Sequence, residues 1–576
     1  MRKFYFWDIL VLTVVLVISI LVIAVSANAV KSMEAQTQHN IIPKPFIYSF
    51  KTGTETASFN LIKDAKIYVQ GPNPDETNEI CKIGQYLARK LNPSTGFSIP
   101  VYMKDEFPTT NAIILTTMDG DPTHGPESYQ LVVTKNLIAL KAYKPEGLFR
   151  GIQTIRQLLP ADIEKDSLVT GVAWTIPCCS IIDYPVYPRR GMMLDVARHF
   201  FSVDEVKRVI DLIAQYKMNI FHLHLTDDQG WRIEIKSWPK LTTVGGRSEI
   251  WDKPVPEFEK NYYYTQDQYV DIVNYAKERY ITIVPEIDMP GHCNAALMSY
   301  SLLIPGDETP KPTWRVDSNG VLDNEVGFSW LTFNRQFYPK KTVYAKLLII
   351  SAIKELAAIT PGNYIHIGND EISSSASKKH FSYEDFINFV SSTVIACNKK
   401  IIAWDPEISN SGYLSHDFIK QVWGRTQIEL LQLPKNSPQK KVASMADLAY
   451  LDQQYAKDCP PNLGQTWASY ISTQKAYDWD PTNYLGYLNN CVGIQAALWT
   501  ETIGTVDDIE LMTFPRLLGY AEIGWTPKSM RNWDEYKMRL AAHGPRMTNQ
   551  GIKFYKSPLV PWLPKSTKSE PKHGSI

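Results

Sequence analysis

From Arg189 onward, short apolar runs alternate with amphipathic stretches in a steady order. Residues 191–197 read as a strand, and Ser202-Val203-Asp204-Glu205 then forms a capping box that opens an apolar-periodic helix to about Lys217. A strand at 219–225 follows, then a long loop, then a helix over 265–280 in which Thr265 and Gln268 repeat the capping box. The alternation continues as strand 281–287, helix 342–359, strand 364–368, helix 383–398 and strand 400–404. Further strands are predicted at 419–422, 442–445 and 493–498, ahead of one helix over 506–520. Eight strands with interleaved helices or loops predict an α/β fold: a parallel sheet closed as a (β/α)8 TIM barrel over about 186–560. The sixth and seventh units lack clear helices. Insertions near 293–340 and 451–490 are long enough to be functional loops.

Upstream, residues 41–185 carry strand-like pieces at 65–69, 112–116, 129–133 and 137–142, and helices at 77–91 and 145–158. This predicts a smaller α+β accessory domain without a catalytic cluster. The first residues have a different character. Arg2 and Lys3 precede an almost continuous apolar run from Ile9 to Val25, and Ala27-Asn28-Ala29 supplies a small-x-small cleavage pattern. The run is long for a signal peptide and slightly short for a bilayer span. Cleavage of residues 1–29 is favoured over an anchor retained at 9–26, so the chain is expected to be exported, periplasmic or secreted.

Composition narrows the partners. The 576 residues carry 60 basic and 60 acidic side chains, for a formal net charge of zero. That removes the electrostatic reason to expect nucleic acid, or a membrane contact beyond the N-terminal segment. The chain is rich in aromatics, with 15 Trp, 31 Tyr and 21 Phe, some of which can stack on flat ligand faces. Seven cysteines are an odd number without a CxxC zinc pattern, and buried free thiols are expected for most. Spacing leaves a Cys459–Cys491 bridge open. No Asn-x-Ser/Thr sequon with a permitted middle residue occurs, which favours a bacterial envelope over a glycosylating secretory pathway.

In a barrel, the site forms where the strands end at the C-terminal face. Those ends carry Asp195 and Arg198, then Asp227-Asp228, then Glu286, Asp288 and His292, then Asp370-Glu371. Trp404-Asp405, Trp423, Tyr450 with Asp452, and Trp499 with Glu501 complete the circuit. One carboxylate at a strand end is usually a cap, but the same character at eight ends points to a site. Neighbouring acids on an extended chain face opposite ways. Asp370 and Glu371 can therefore serve one site only if Gly368-Asn369 turns the backbone. Carboxylates plus an aromatic cage suggest glycoside chemistry.

The stretches RRGMMLDVARHFFSVDEVKRVIDLIAQYKMNIFHLHLTDDQGWRIEIKSWPKL, VPEIDMPGH, YIHIGNDE, WDPE, Tyr450-x-Asp452 and LWTE resemble family 20 glycoside hydrolases, the β-N-acetylhexosaminidases, in order and spacing over about 189–526. The preceding segment, with its opening IIPKP, resembles that family's accessory domain. The resemblance implies an exo-acting, retaining enzyme without a cofactor or metal, acting on oligosaccharides or glycoconjugates that end in N-acetylhexosamine. Glu371 would be the acid and base. Asp370 would bind the 2-acetamido N–H and aim its oxygen at the anomeric carbon, giving an oxazolinium intermediate. Tyr450 would bind the acetamido oxygen, and Trp404, Trp423 and Trp499 would wall its pocket. Arg198, Glu501 and Asp452 would hold hydroxyls, while Asp227 and His292 would form a relay tuning Glu371. The family's second glycine is replaced by Asn369, the non-glycine residue most tolerant of a left-handed backbone, so the turn is expected to survive. The stretch 308–333 looks extended relative to simpler members.

Two rivals follow from the residues. His222 and His224 share one strand face, as in a metal-dependent amidohydrolase, with His292 and His366 as further candidate ligands. A catalytically dead carbohydrate binder on this fold is the second, against which Asp370, Glu371, Tyr450 and His292 argue. Trp174, Trp238, Trp314, Trp330, Trp479 and Trp562 are expected to serve the core or anchor loops.

Overall fold

The computed structural model describes residues 39–50, 57–104, 106–246, 262–303, 339–370, 383–405, 418–424, 439–457, 463–484, 488 and 490–563. The N-terminal leader, Trp314, Trp330, Glu371 and Cys459 lie outside them.

Eight parallel strands close into a barrel: Arg189–Asp195, Ile220–His224, Thr282–Glu286, Tyr364–His366, Lys400–Asp405, Ile419–Val422, Lys440–Ala443 and Cys491–Leu498, the last pairing with the first. Both faces of these strands are buried, so the sequence reads as near-continuous apolar runs. The interior fills in layers. Ile220, Val284, Ile402, Ile419 and Val442 form an apolar plug. Two residues further along the same strand faces stand His222, Glu286 and Trp404, so a polar layer sits directly on that plug.

The helices after the first two strands start where the caps predict. Ser202 and Thr265 each accept the N3 backbone N–H, and Glu205 and Gln268 bond back to the cap. The helix expected over 506–520 is a correction: it is two helices, Val506–Thr513 and Arg516–Trp525, parted at Phe514-Pro515. Pro515 has no N–H to continue the first helix. The seventh strand ends at Ala443, two residues early, because the chain turns into the short helix Ala446–Ala449.

The preceding domain is a seven-stranded sheet in the order Ile47–Phe50, Cys179–Asp183, Tyr129–Val133, Leu137–Ala142, Ala112–Thr116, Lys66–Gln70, Val101–Met103. Helices Pro74–Thr95 and Pro145–Leu158 pack on the sheet and on each other. The expected pieces recur, the first helix being longer at both ends. Three of the sheet's strands, Ile47–Phe50, Val101–Met103 and Cys179–Asp183, were not anticipated.

Buried ions join sheet to barrel. Lys217 donates to Asp183 Oδ2 at 2.7 Å and to the Tyr129 hydroxyl at 2.9 Å, while Trp525 Nε1 donates to Asp183 Oδ1. Glu127 accepts from Arg150, Arg190 and Asn219. Removing one partner of such a pair strands the other without water, at a cost of about 3–5 kcal/mol. Cys81, Cys178, Cys179 and Cys293 are buried; the Cys459–Cys491 pair falls outside the described residues through Cys459. No helix among the described residues is long and apolar enough to cross a membrane.

Candidate active site

The strand ends meet at one mouth. Arg198 leaves the first strand and its guanidinium reaches Asp195 at 3.0 Å, Asp227 at 2.9 Å and Glu501 at 3.9 Å. It also lies 5.0 Å above the Trp499 ring. Burial opposes its charge, but Asp227, Asp195 and Glu501 outweigh that and raise its pKa further. Burial likewise works against the Asp227 carboxylate, yet Arg198 and His292 hold it well below the ordinary aspartate range. His292 Nδ1 lies 3.4 Å from Asp227 and 3.3 Å from Asp228. The expected Asp227–His292 pair is therefore brought together, with Asp228 sharing the imidazole.

Below that pair, Glu286 collects side chains from three other strands. Its Oε2 lies 2.6 Å from His224 Nδ1 and 2.9 Å from His222 Nε2. Its Oε1 accepts from Trp404 Nε1 at 2.9 Å and lies 3.0 Å from His366 Nδ1. His224 turns its other nitrogen to Asp227 at 2.9 Å. Burial opposes charge on Glu286, but the surrounding imidazoles keep its carboxyl well below the usual range. His224, facing two carboxylates, is held well above the ordinary histidine range despite burial. His222 is pushed down to about 4, chiefly by burial, and its Nδ1 sits 2.8 Å from the Gln495 amide. These histidines and acids also form groupings that could suit a metal ion. Around Glu286, Trp404 Nε1 and His224 Nδ1 are engaged with the carboxylate, while the buried Nε2 atoms of His222 and His366 have no hydrogen-bond partner among the described residues.

The fourth strand delivers Asp370 through a left-handed turn. Gly368 has φ +66 and Asn369 φ +77, so the substituted position keeps the turn the sequence required. Gly368 is obligatory for a second reason: a Cβ there would lie 1.8 Å from Asp288 Oδ1. That oxygen accepts the Asn369 N–H at 3.2 Å. Burial and the neighbouring Asp370 push the Asp288 carboxyl well above its ordinary range. Glu371, the next residue, lies outside the described residues.

Opposite stands an aromatic wall. Trp404, Trp423 and Tyr450 pack with Met193, Ala446 and Ala497, and Trp499 packs against them. The Trp404 and Trp499 rings are 5.6 Å apart, and Tyr450 is 6.2 Å from Trp499. All three expected tryptophans and the tyrosine thus form one surface. Asp452 is pushed up to about 8 by burial and by Glu501, whose own carboxyl is raised by burial.

Sequence reasoning missed three contributors. Trp467, half exposed, presents its ring edge-to-face to Tyr450 at 6.1 Å. Gln453 donates to Asp452 at 2.7 Å and accepts the Ala468 N–H, tying Asp452 to the loop that carries Trp467. Arg516 pins that segment from below through the Leu451, Gln453 and Ile471 carbonyls. Trp467 lies in the long insertion already suspected of function, which was the available signal.

Known proteins share this architecture. A β-N-acetylhexosaminidase of Cellulomonas fimi is 33% identical over 492 residues, covering 85% of this chain and 92% of that protein. A β-hexosaminidase of Porphyromonas gingivalis is 31% identical, covering 93% and 67%. Among solved structures, the Streptomyces coelicolor β-N-acetylhexosaminidase superposes with TM-score 0.79 at 38% identity, covering 92% of this chain and all of that one. A mutant Streptomyces plicatus β-hexosaminidase in complex with the product GlcNAc gives 0.80 at 38%, covering 92% and 99%. The profile of glycosyl hydrolase family 20, domain 2, matches residues 38–184, and that of the family's catalytic domain matches residues 187–528. With the closed barrel and its acid-and-aromatic mouth, these matches make the chain a glycoside hydrolase that belongs to glycosyl hydrolase family 20.

Proposed function

We propose that the enzyme is an exo-acting, retaining β-N-acetylhexosaminidase that removes terminal non-reducing GlcNAc or GalNAc by substrate-assisted catalysis. The observation that carries this reading is the Gly368-Asn369 turn, which sets Asp370 at the mouth that Trp404, Trp423, Trp499 and Tyr450 wall. Asp370 accepts the acetamido N–H and balances positive charge growing on that nitrogen. The acetamido oxygen, held against the aromatic wall with Tyr450 donating to it, attacks the anomeric carbon. A tethered nucleophile locked in attack geometry gains a large effective molarity.

Glu371 donates its proton to the leaving glycosidic oxygen as the oxazolinium forms. It then takes a proton from the water that opens that ring, so two inversions give net retention. Asp227 and His292 keep Glu371 at a pKa suited to donation. Arg198, Glu501 and Asp452 bind hydroxyls at the non-reducing end of the terminal sugar, in keeping with exo action. Support comes also from the Streptomyces plicatus relative, whose structure holds GlcNAc. The N-terminal segment directs export, with cleavage after Ala29; Edman sequencing of the secreted chain checks this, and a start at Met1 opposes it.

The test is a panel of aryl glycosides with wild type, Asp370→Asn and Glu371→Gln. Wild type is expected to prefer N-acetylhexosaminides strongly over plain hexosides. Asp370→Asn is expected to lower turnover on the order of 10²–10³-fold, the cost of losing one preorganised electrostatic partner. Unchanged turnover of N-acetyl substrates by Asp370→Asn, or equal activity of wild type on plain glucosides, overturns the reading.

A further inference from the structure

Glu286 stands out because one buried carboxylate serves four barrel strands. It ends the third strand, is fully buried, and touches His222 and His224 of the second, His366 of the fourth and Trp404 of the fifth. An ionised carboxylate only accepts hydrogen bonds, so a nitrogen bonded to it must bring the proton; His366 Nδ1, although 3.0 Å away, instead accepts the Gly368 N–H. Trp404 Nε1 always brings one. His222 Nε2 lies 2.9 Å from Glu286 Oε2, with the Gln495 amide on its Nδ1.

His224 is the decisive member. Its Nδ1 faces Glu286 at 2.6 Å and its Nε2 faces Asp227 at 2.9 Å. Two carboxylate acceptors on opposite sides of one ring demand two N–H donors, which is the imidazolium. The other ionisable groups around His224 are Asp195 and Arg198 beyond the first strand, His222 on its own strand, Asp288 beyond the third and His366 on the fourth. The Trp499 ring closes the remaining side edge-on at 4.9 Å.

Two halves of the site therefore share one support. Trp404 belongs to the proposed acetamido pocket, and Asp227 belongs to the proposed relay. We propose that Glu286 and His224 are positioning residues that couple these halves: Glu286 orients the Trp404 indole and keeps His224 doubly protonated, and His224 fixes and neutralises Asp227. This rests on the functional reading above, in which Trp404 walls the acetamido pocket and Asp227 tunes the acid. The coupling explains why so much polarity is buried over an apolar plug, where leaving any member unmatched is costly.

The consequences can be separated experimentally. Glu286→Gln keeps shape and an oxygen for Trp404, but no longer holds the second proton on His224. Asp227 then faces a neutral ring, its negative charge is less compensated, and the acid it supports binds its proton more tightly. The basic limb of the pH profile is expected to move upward by about half a unit, and kcat to fall on the order of 10²-fold. Trp404→Phe removes only the indole anchor. It is expected to raise KM for aryl N-acetylglucosaminide several-fold while leaving the basic limb in place. His224→Gln places an amide N–H where Nε2 donated to Asp227, whereas His224→Leu places none; the Gln variant is expected to retain at least about tenfold more kcat.

All variants are assayed as the whole enzyme, with circular dichroism and thermal melting to confirm folding. Folded Glu286→Gln with the wild-type pH limb and kcat overturns the proposal. If Glu286→Gln does not fold, the His224 pair decides, and equal losses in the Gln and Leu variants overturn it. Wild-type turnover of the aryl N-acetylglucosaminide is the control. Its absence removes the functional reading and this one together, whereas turnover with unmoved profiles removes this one alone.

Discussion

The enzyme buries charge in two places, and the two differ in how that charge is matched. Between sheet and barrel each acid has its cation: Asp183 with Lys217, Glu127 with Arg150 and Arg190. At the barrel mouth, among the described residues, several acids share Arg198 or face another acid. Arg198 and His292 hold Asp227 charged, but Glu501 lies 3.9 Å from Arg198, Asp288 sits beside Asp370 and Asp452 beside Glu501, and these three carboxyls are raised. Matched burial holds groups in their charged forms and serves structure. Unmatched burial raises carboxyl pKa values and leaves groups able to exchange protons or accept a ligand's hydroxyls. Glu286 and His224 sit at the boundary, a matched pair placed beneath an unmatched site.

The largest expected effect sharpens the mouth side of this contrast. Glu371→Gln is expected to lower kcat on N-acetyl substrates by about 10²–10⁴-fold without lowering the melting temperature, since it keeps the side chain's shape and removes proton transfer. Steady-state kinetics beside calorimetry checks both parts.

Next is the interface. Lys217→Met leaves Asp183 buried against Tyr129, Trp525 and the Phe46 N–H, without a cation. Chemical denaturation is expected to show a loss of about 3–5 kcal/mol, with kcat of the folded enzyme unchanged. A loss of activity without a loss of stability would erase the distinction between the two regions.

A third prediction uses pH. Asp452 is raised to about 8 in the folded enzyme, so between the ordinary aspartate range and pH 8 the folded state binds a proton that the unfolded chain has released. Stability contributed through this group therefore falls as pH rises across that window. Asp452→Asn has no proton to hold, and its melting temperature relative to wild type is expected to climb from pH 5 to pH 8. A constant difference would place Asp452 among the matched charges.

The smallest effect concerns Trp467. Its half-exposed ring lies edge-to-face beside Tyr450. Trp467→Ala is expected to raise KM for oligosaccharides about 2–10-fold and to leave affinity for free GlcNAc nearly unchanged, by equilibrium titration.

Sequence periodicity revealed the barrel because strands buried on both faces and capped helices leave local signatures: the boxes at Ser202 and Thr265 fall where helices begin. It joined two helices across Pro515, where apolar spacing continues although the hydrogen-bond ladder cannot. It passed over Ile47–Phe50, Val101–Met103 and Cys179–Asp183, which are short, two of them at sheet edges, and defined by partners far along the chain. In the site, the strand-end residues were legible one strand at a time, since each follows its own apolar run. Their convergence was not. His222, His224, Glu286, His366 and Trp404 come from four strands, and only closure of the sheet reveals that one carboxylate receives them all. Gln453 and Arg516 escaped for the same reason, because they act through backbone carbonyls and loop N–H groups that carry no sequence signal.

In the proposed mechanism the substrate's own acetamido oxygen is the nucleophile, positioned by Asp370 against the aromatic wall. The direct test is kcat/KM for a series of aryl glucosaminides whose N-acetyl group carries zero to three fluorines. Each fluorine withdraws electrons from that oxygen while changing the substrate's shape little. A steep, monotonic fall in kcat/KM across the series is expected of a nucleophilic acetamido oxygen. A flat series would contradict it and return the nucleophile to the enzyme.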